Sequence, residues 1–486
     1  MVTARDAVVV GSGPNGLAAA VTLAAAGLDV EVVEAADTPG GGSRSAELTL
    51  PGYLHDACSA VHPMAAASPF FRAFDLPARG VELLEPEVQF AHPLDEGPWG
   101  VALRDLDATA DLLGAGGARY ARLLRPLVEE AGELVPTFLS TLRSPPAGPG
   151  LAVAASFALR AGLTLPALLA GLGDERAAGL LAGVGAHAPG RQVGIAPAAV
   201  AVVLTALAHS GGWVVPRGGS QALVDALVAD LRARGGTLRT GQRVHDLGEL
   251  PPARAVLLDV SPAEVLRIAG DRLPAAHAAA LRRYRYGPGA CTVHYALAGP
   301  VPWRDEAARR AGTLHLGGTW REIAAAEAEV AAGRHAQRPY VLVAQPGVVD
   351  PGRSPDGHAV LWTYCHVPNG STLDVSAHVD AQVERFAPGF RDLVLARHVR
   401  TAAQLAAENP ADVGGDFAQG ATTLRQVLAR PVPRWDVHST PLAGLYLCSS
   451  ATAPGPGVHG MCGWWAARAA LRRTFGIRRM PSVAPR

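Results

Sequence analysis

Apolar and polar positions alternate along this chain with two distinct periods, and the periods mark its elements. Ala7 to Val10 form an unbroken apolar run between Asp6 and Gly11. Such a run fits a strand buried on both faces of a parallel sheet. Pro14 to Ala26 is rich in Ala and Leu and is closed by Gly27, which predicts a helix. Leu28 to Glu34 then predicts the next parallel strand. In mid-chain a glycine-rich turn precedes an amphipathic helix from about Ser220 to Arg234, followed by a strand pair and a further strand over 253–262. Near the end, "LYLCSS" (445–450) predicts a strand, "APGPGVHG" a turn, and Met461 onward a helix. Period-2 runs at 291–299, 340–347 and 359–368 predict an antiparallel sheet lining a cavity. Residues 66–204 are helical in composition, with Pro-Gly breaks at 144–150 and 187–192. The apolar stretches 151–172 and 193–208 contain prolines or an arginine and fit buried helices better than membrane spans.

The opening strand and helix carry chemistry at fixed spacing. Gly11 suits the tight turn out of the strand, Gly13 the close approach of backbone to a pyrophosphate, and Gly16 the packing of helix on strand. With Pro14 and Asn15 they place a helix N-terminus, a source of free N–H groups, beside the phosphates. Glu34 lies 18 residues beyond Gly16 at the end of the second strand, where a carboxylate accepts from ribose hydroxyls and repels a 2′-phosphate. Strand, helix, strand and acid together predict a dinucleotide site that disfavours NADP.

Composition narrows the choices. The 486 residues exceed one compact core, so two or three domains are expected. Acidic and basic residues balance at 43 each, which removes the electrostatic case for nucleic acid or an anionic membrane. The sequence contains no lysine, so Schiff-base and P-loop mechanisms are excluded. Five scattered cysteines form no C-x-x-C pair and suggest a reducing, cytoplasmic location. No metal-site motif is found.

The segment "EAADTPGGGSRS" (34–45), the "PRGGS" turn and helix in mid-chain, and "LYLCSSATAPGPGVHG" near the end together resemble the FAD-binding superfamily of amine oxidases and phytoene desaturases. The nearest resemblance is to phytoene-desaturase-related oxidoreductases, in particular the pyridine nucleotide-disulfide oxidoreductase domain-containing protein 2 branch. That resemblance implies noncovalent FAD, held by Gly41, Gly42, Ser43 and Arg44 after the first strands, by the Val244 backbone at the adenine, and by Ser450, Gly457, Val458 and His459 at the flavin. It implies an α/β fold: a discontinuous Rossmann-like FAD domain (1–65, 205–262, 430–486) under an α+β substrate lobe (66–204, 263–429). The missing lysine departs from amine oxidases, which generally hold a water at the flavin with one. The implied activity is hydride transfer between flavin and a largely apolar small molecule, polyene or isoprenoid in kind. A flavin-dependent isomerase and a non-catalytic interaction protein are the alternatives. Catalytic residues are unassigned: His62, His294 and His459 are candidates, with His55, Asp56, Cys58 and Tyr295 beside them, and Trp213, Trp464 and Trp465 as cavity walls. Peripheral membrane contact is compatible with such a substrate. The electron acceptor and the oligomeric state stay open.

Overall fold

The computed structural model describes residues 4–141 and 149–485. Two sheets organise it. The first has five parallel strands in the order Leu445–Leu447, Ala253–Leu258, Arg5–Val10, Val30–Val33 and Thr237–Arg239. Val10 lies in register with both Val33 and Leu258, so three strand ends reach one level. The opening strand is central and its apolar run is buried on both sides. Helices Pro14–Ala25, Gln221–Ala233 and Met461–Arg473 cover one face, and Pro262–Ala269 with Ala275–Arg282 the other. This sheet draws its strands from the beginning, middle and end of the chain because only a parallel crossover brings each strand end to the same edge.

The second sheet has seven strands in the order Val394–Arg400, Gly289–Leu297, Ala359–Val367, Val341–Ala344, Ala311–Leu316, Val88–His92 and Gly100–Leu103. All pairs are antiparallel except Ala311–Leu316 with Val88–His92. Side chains alternate between two cores. Cys291, Val293, Tyr295 and Leu297 enter one beside Phe386 and Phe390. Trp362 and Tyr364, on the opposite face, join the other beneath Glu175–Gly185 and Ile195–Ala208.

One expectation changes. The strand pair after the mid-chain helix is one short strand, and 240–246 run without regular structure. The stretch 151–172 forms two helices, Pro149–Ala161, on which Leu151 and Leu159 are exposed, and Leu165–Leu172, and 193–208 folds, as expected, as the largely buried helix Ile195–Ala208. Of the break expected at 144–150, residues 144–148 lie outside the described residues. No single helix among the described residues is long and apolar enough to cross a membrane; one pair, Gly150–Arg160 with Leu165–Leu172, passes that test jointly but is bent by 82°.

Candidate functional site: a cleft from the glycine clamp to an apolar chamber

A cavity of about 620 Å³ runs along the ends of the parallel strands and continues under the second sheet. That volume lies within the range of cofactor and ligand sites. At one end are Gly11, Gly13, Pro14, Asn15, Glu34, Gly41, Gly42, Ser43, Arg44 and Val244, with Ser450, Gly457 and Val458 on the far wall. Gly11 has φ +98°, and a methyl group there would lie 2.7 Å from the Asp259 carbonyl oxygen. A methyl on Gly16 would lie 2.3 Å from the Gly11 carbonyl oxygen, so the helix approaches the strand only as glycine.

Glu34 is fixed before any ligand arrives. One carboxylate oxygen accepts from the Ser12 amide at 2.8 Å and the Ser12 hydroxyl at 2.5 Å, and the other accepts from the Ala36 amide at 2.8 Å. Val244 lies on irregular backbone rather than a strand, and its carbonyl accepts from Arg267 at 2.9 Å. Arg44 donates to the Gly41 carbonyl at 2.9 Å, which folds it back over the second glycine turn. That turn abuts the first: a methyl on Gly41 would sit 3.4 Å from the Gly13 Cα.

Asp259, at the end of strand Ala253–Leu258, was not among the expected site residues. Its carboxylate accepts from the Gly16 amide at 2.9 Å, inside the first turn of the opening helix. The space a side chain at Gly13 would need is held by an Asp259 oxygen at 2.8 Å. Burial, with the Glu34 charge adding to it, pushes the Asp259 carboxyl up to about 7, against the amide donors of Gly16 and Gly13. An acidic residue closing a predicted parallel strand was the available signal. Asp412 lines the same cleft and is also raised to about 7, first by burial and then by Asp416.

The other end is apolar. Val203, Leu204, Trp213, Leu342, Trp362 and Phe417 wall it, with Tyr364 beside them. His62 reaches this region; its Nε2 pairs with the Ser220 hydroxyl at 2.7 Å, and burial lowers its pKa to about 4, so it is neutral. Cys58 also lines the cleft, and burial pushes its thiol up to about 12.

Several expected residues lie elsewhere. His459 does not line the cleft: its Nε2 donates to the Gly455 carbonyl at 3.1 Å and its Nδ1 accepts from the Met461 amide at 3.0 Å, so the ring braces the turn. His294 lies beneath the cleft, donating to the Asp56 carbonyl at 3.0 Å. His55 is buried against Thr49, and Tyr295 faces the opposite core, donating to Asp380 at 2.7 Å. Asp56 accepts from Ser45, the Ser220 amide and Arg353, which leaves it a structural anion. Trp213 is in the chamber wall, whereas Trp464 and Trp465 pack outside it, with the Trp465 indole donating to the Leu139 carbonyl. Period-2 patterning could place these side chains on a strand but not choose between the two cores.

Residues 9–75 match the family of NAD(P)-binding Rossmann-like domains. A 159-residue stretch is 33% identical to the rat pyridine nucleotide-disulfide oxidoreductase domain-containing protein 2, covering 29% of this chain and 26% of the rat protein's length. The all-trans-zeta-carotene desaturase of Myxococcus xanthus is 26% identical, covering 93% of this chain and 90% of its own. The chain is thus similar to phytoene-desaturase-related oxidoreductases along most of its length, although it matches only about a quarter of the rat protein. Among solved structures, an oxidoreductase from Methanosarcina mazei superimposes with a TM-score of 0.64 at 17% identity, over 97% of this chain and 100% of its own. A putrescine oxidase variant gives 0.60 at 16% identity, over 97% and 99%. These establish a shared fold of amine oxidase type.

These likenesses support FAD as the cofactor, and the cleft fits it. Asn15 Oδ1 and Ser43 Oγ are buried polar atoms of the cleft wall with no partner in the protein, and each needs one from a ligand. The two abutting glycine turns leave room for a pyrophosphate against the helix N-terminus, where Gly13, Pro14, Asn15 and Arg44 would hold it. Glu34 and Val244 would hold the adenosine, and Ser450, Gly457 and Val458 the flavin end.

Proposed function

We propose that the protein is an FAD-dependent oxidoreductase of desaturase or dehydrogenase type, acting on a largely apolar small molecule. One observation carries this reading: the dinucleotide clamp and the chamber walled by Trp213, Leu342, Trp362 and Phe417 are one continuous cavity. Bound FAD supplies a two-electron hydride acceptor or donor. The glycine turns and Glu34 bind it. The aromatic walls orient an apolar chain and exclude water, which prevents loss of a reactive intermediate to solvent. Neutral His62 offers a hydrogen-bonding group without adding charge to the chamber. A polyene or isoprenoid is the substrate class this wall chemistry favours, consistent with the likeness to carotenoid desaturases.

The same proposal includes peripheral contact with a lipid surface. Leu424, Leu428 and Trp435 are exposed, at 53%, 56% and 69%, and Val427, on the same short helix as the two leucines, lines the cleft. An apolar substrate partitioned into a bilayer would enter there. A cytoplasmic location accompanies this reading, since all five cysteines are free.

The test is anaerobic. Purified protein should carry about one FAD per chain, and its flavin absorbance should bleach on mixing with a member of a polyene, isoprenoid and fatty-compound panel. A protein that takes up no FAD, or whose flavin no panel member reduces or reoxidises, would reject the proposal. Val200, half-buried on the chamber wall, provides a control. Val200→Glu should keep FAD and slow bleaching about tenfold or more, because a charge on an apolar wall must be desolvated by the substrate.

A further inference from the structure

Three arginines among the described residues are more than nine-tenths buried: Arg353, Arg400 and Arg430. Arg353 is paired with Asp56 at 3.0 Å and Asp350 at 2.7 Å. Arg400 is paired with Glu408 at 2.9 Å. Arg430 forms no ion pair among the described residues, although it lines the cleft. Its Nη2 donates to the Tyr284 hydroxyl at 3.0 Å and, at 3.4 Å, to the Ala418 carbonyl. Tyr284 donates onward to the Gln419 carbonyl at 2.7 Å, so the guanidinium is held in place by neutral groups. Its Nε is buried without a partner. Its Nη1 lies beside Gly455, where an added Cβ would come within 2.8 Å. The nearby carboxylate of Asp416 is occupied by the amides of Gly287 and Ala418.

A guanidinium does not lose its proton to escape burial, so its charge has to be met by an anion. Here the protein orients the cation at the cleft wall, and no carboxylate among the described residues forms an ion pair with it; Asp416 acts on it only through space. We propose that Arg430 is a second anion-recognition group of the cleft, separate from the opening helix and Arg44, and that it pairs with an anionic group of bound FAD. This inference rests on the FAD assignment. Two parts of the cofactor have the required chemistry: the pyrophosphate, which is always charged, and the flavin ring, which gains negative charge when reduced. A positive group near the ring is one means by which a protein tunes flavin electronics.

The test compares full-length wild type, R430M and R430K by three readouts: the affinity of the apoprotein for oxidised FAD, the midpoint potential of the bound flavin, and the melting temperature of the apoprotein. R430M is expected to weaken one redox form of the cofactor about tenfold or more. Loss of oxidised-FAD affinity with an unchanged potential assigns the pyrophosphate. Retained affinity with a midpoint lowered by about 30 mV, the equivalent of a tenfold loss for a two-electron couple, assigns the flavin ring. R430K should recover most of either effect, because it restores the charge. Should R430M fail to fold, R430Q, which keeps a donor for Tyr284 and drops the charge, takes its place. Unchanged affinity together with an unchanged potential would overturn the proposal. Wild type that takes up no FAD would instead remove the cofactor assignment beneath it.

Discussion

Single residues in the cleft differ most from expectation where burial acts on charge. Asp259 shares the first turn of the opening helix with the place a pyrophosphate would occupy, and burial raises its carboxyl to about 7. An unfolded aspartate titrates near 4. Between roughly pH 4 and 7 the folded apoprotein therefore holds a proton that the unfolded chain has released, and stability falls as pH rises through that window. Asp259→Asn should flatten this part of the stability curve, as measured by urea unfolding at several pH values. The same carboxyl predicts that FAD affinity declines as pH rises past about 7, where a carboxylate would face phosphate. Titration of apoprotein with FAD from pH 5 to 9 would show the decline, and Asp259→Asn should weaken it, leaving any part due to Asp412 in the same cleft. The histidines show the complementary effect. His62 and His459 are both held neutral, at about 4, by burial, but only His62 lines the cleft. Their chemical type was readable from sequence, whereas their partners, Ser220 and the Gly455 carbonyl, were not.

At the scale of elements, the clamp was legible because it is local. Strand, glycine turn, helix and acid all fall within residues 5–34, and each is fixed by neighbours a few positions away. The closing helix was legible as a helix but not as a partner. Met461–Arg473 packs against the opening helix so closely that a methyl on Gly463 would lie 1.8 Å from the Asn15 carbonyl oxygen. Backbone cannot yield there as a flexible side chain would. Gly463→Ala should cost about 1–3 kcal/mol or more by overpacking. It should also displace Asn15 and so weaken FAD retention, seen as a lower melting temperature together with a lower flavin-to-protein ratio. Retained stability and retained flavin would show that the two helices part without consequence for the site.

For the whole molecule, a buried charge network links the turns after strand Val341–Ala344 to the short strand Leu54–Asp56 and to the turn before helix Gln221–Ala233. Arg353 donates to Asp56 and Asp350 and to the Pro216 carbonyl at 3.1 Å, and Asp350 accepts from the Gly218 amide at 2.8 Å. Asp56 in turn accepts from the Ser220 amide, next to the hydroxyl that holds His62. The network joins three distant stretches of chain beside the cleft. Arg353→Met would leave two carboxylates buried without their cation, at a cost of about 3–5 kcal/mol. Thermal unfolding followed by tryptophan fluorescence should show the loss, and flavin release should move with it to lower temperature. Release that stays at the wild-type temperature would mean that the network does not support the cleft.

The sequence alone determined the strand, helix and strand of the opening clamp, the glycine turns, and the acid at 34, because these depend on backbone conformation and on neighbours within one or two turns of chain. Tertiary structure decided which buried side chains face the cleft. Trp362 and Tyr364 wall the chamber, Tyr295 and Cys291 enter the other core, and His294 is sealed beneath Asp56. It also decided that Arg353 would form ion pairs with two carboxylates and Arg430, among the described residues, with none. Charge balance in a low-dielectric interior depends on groups brought together across hundreds of residues, and no local pattern carries that information.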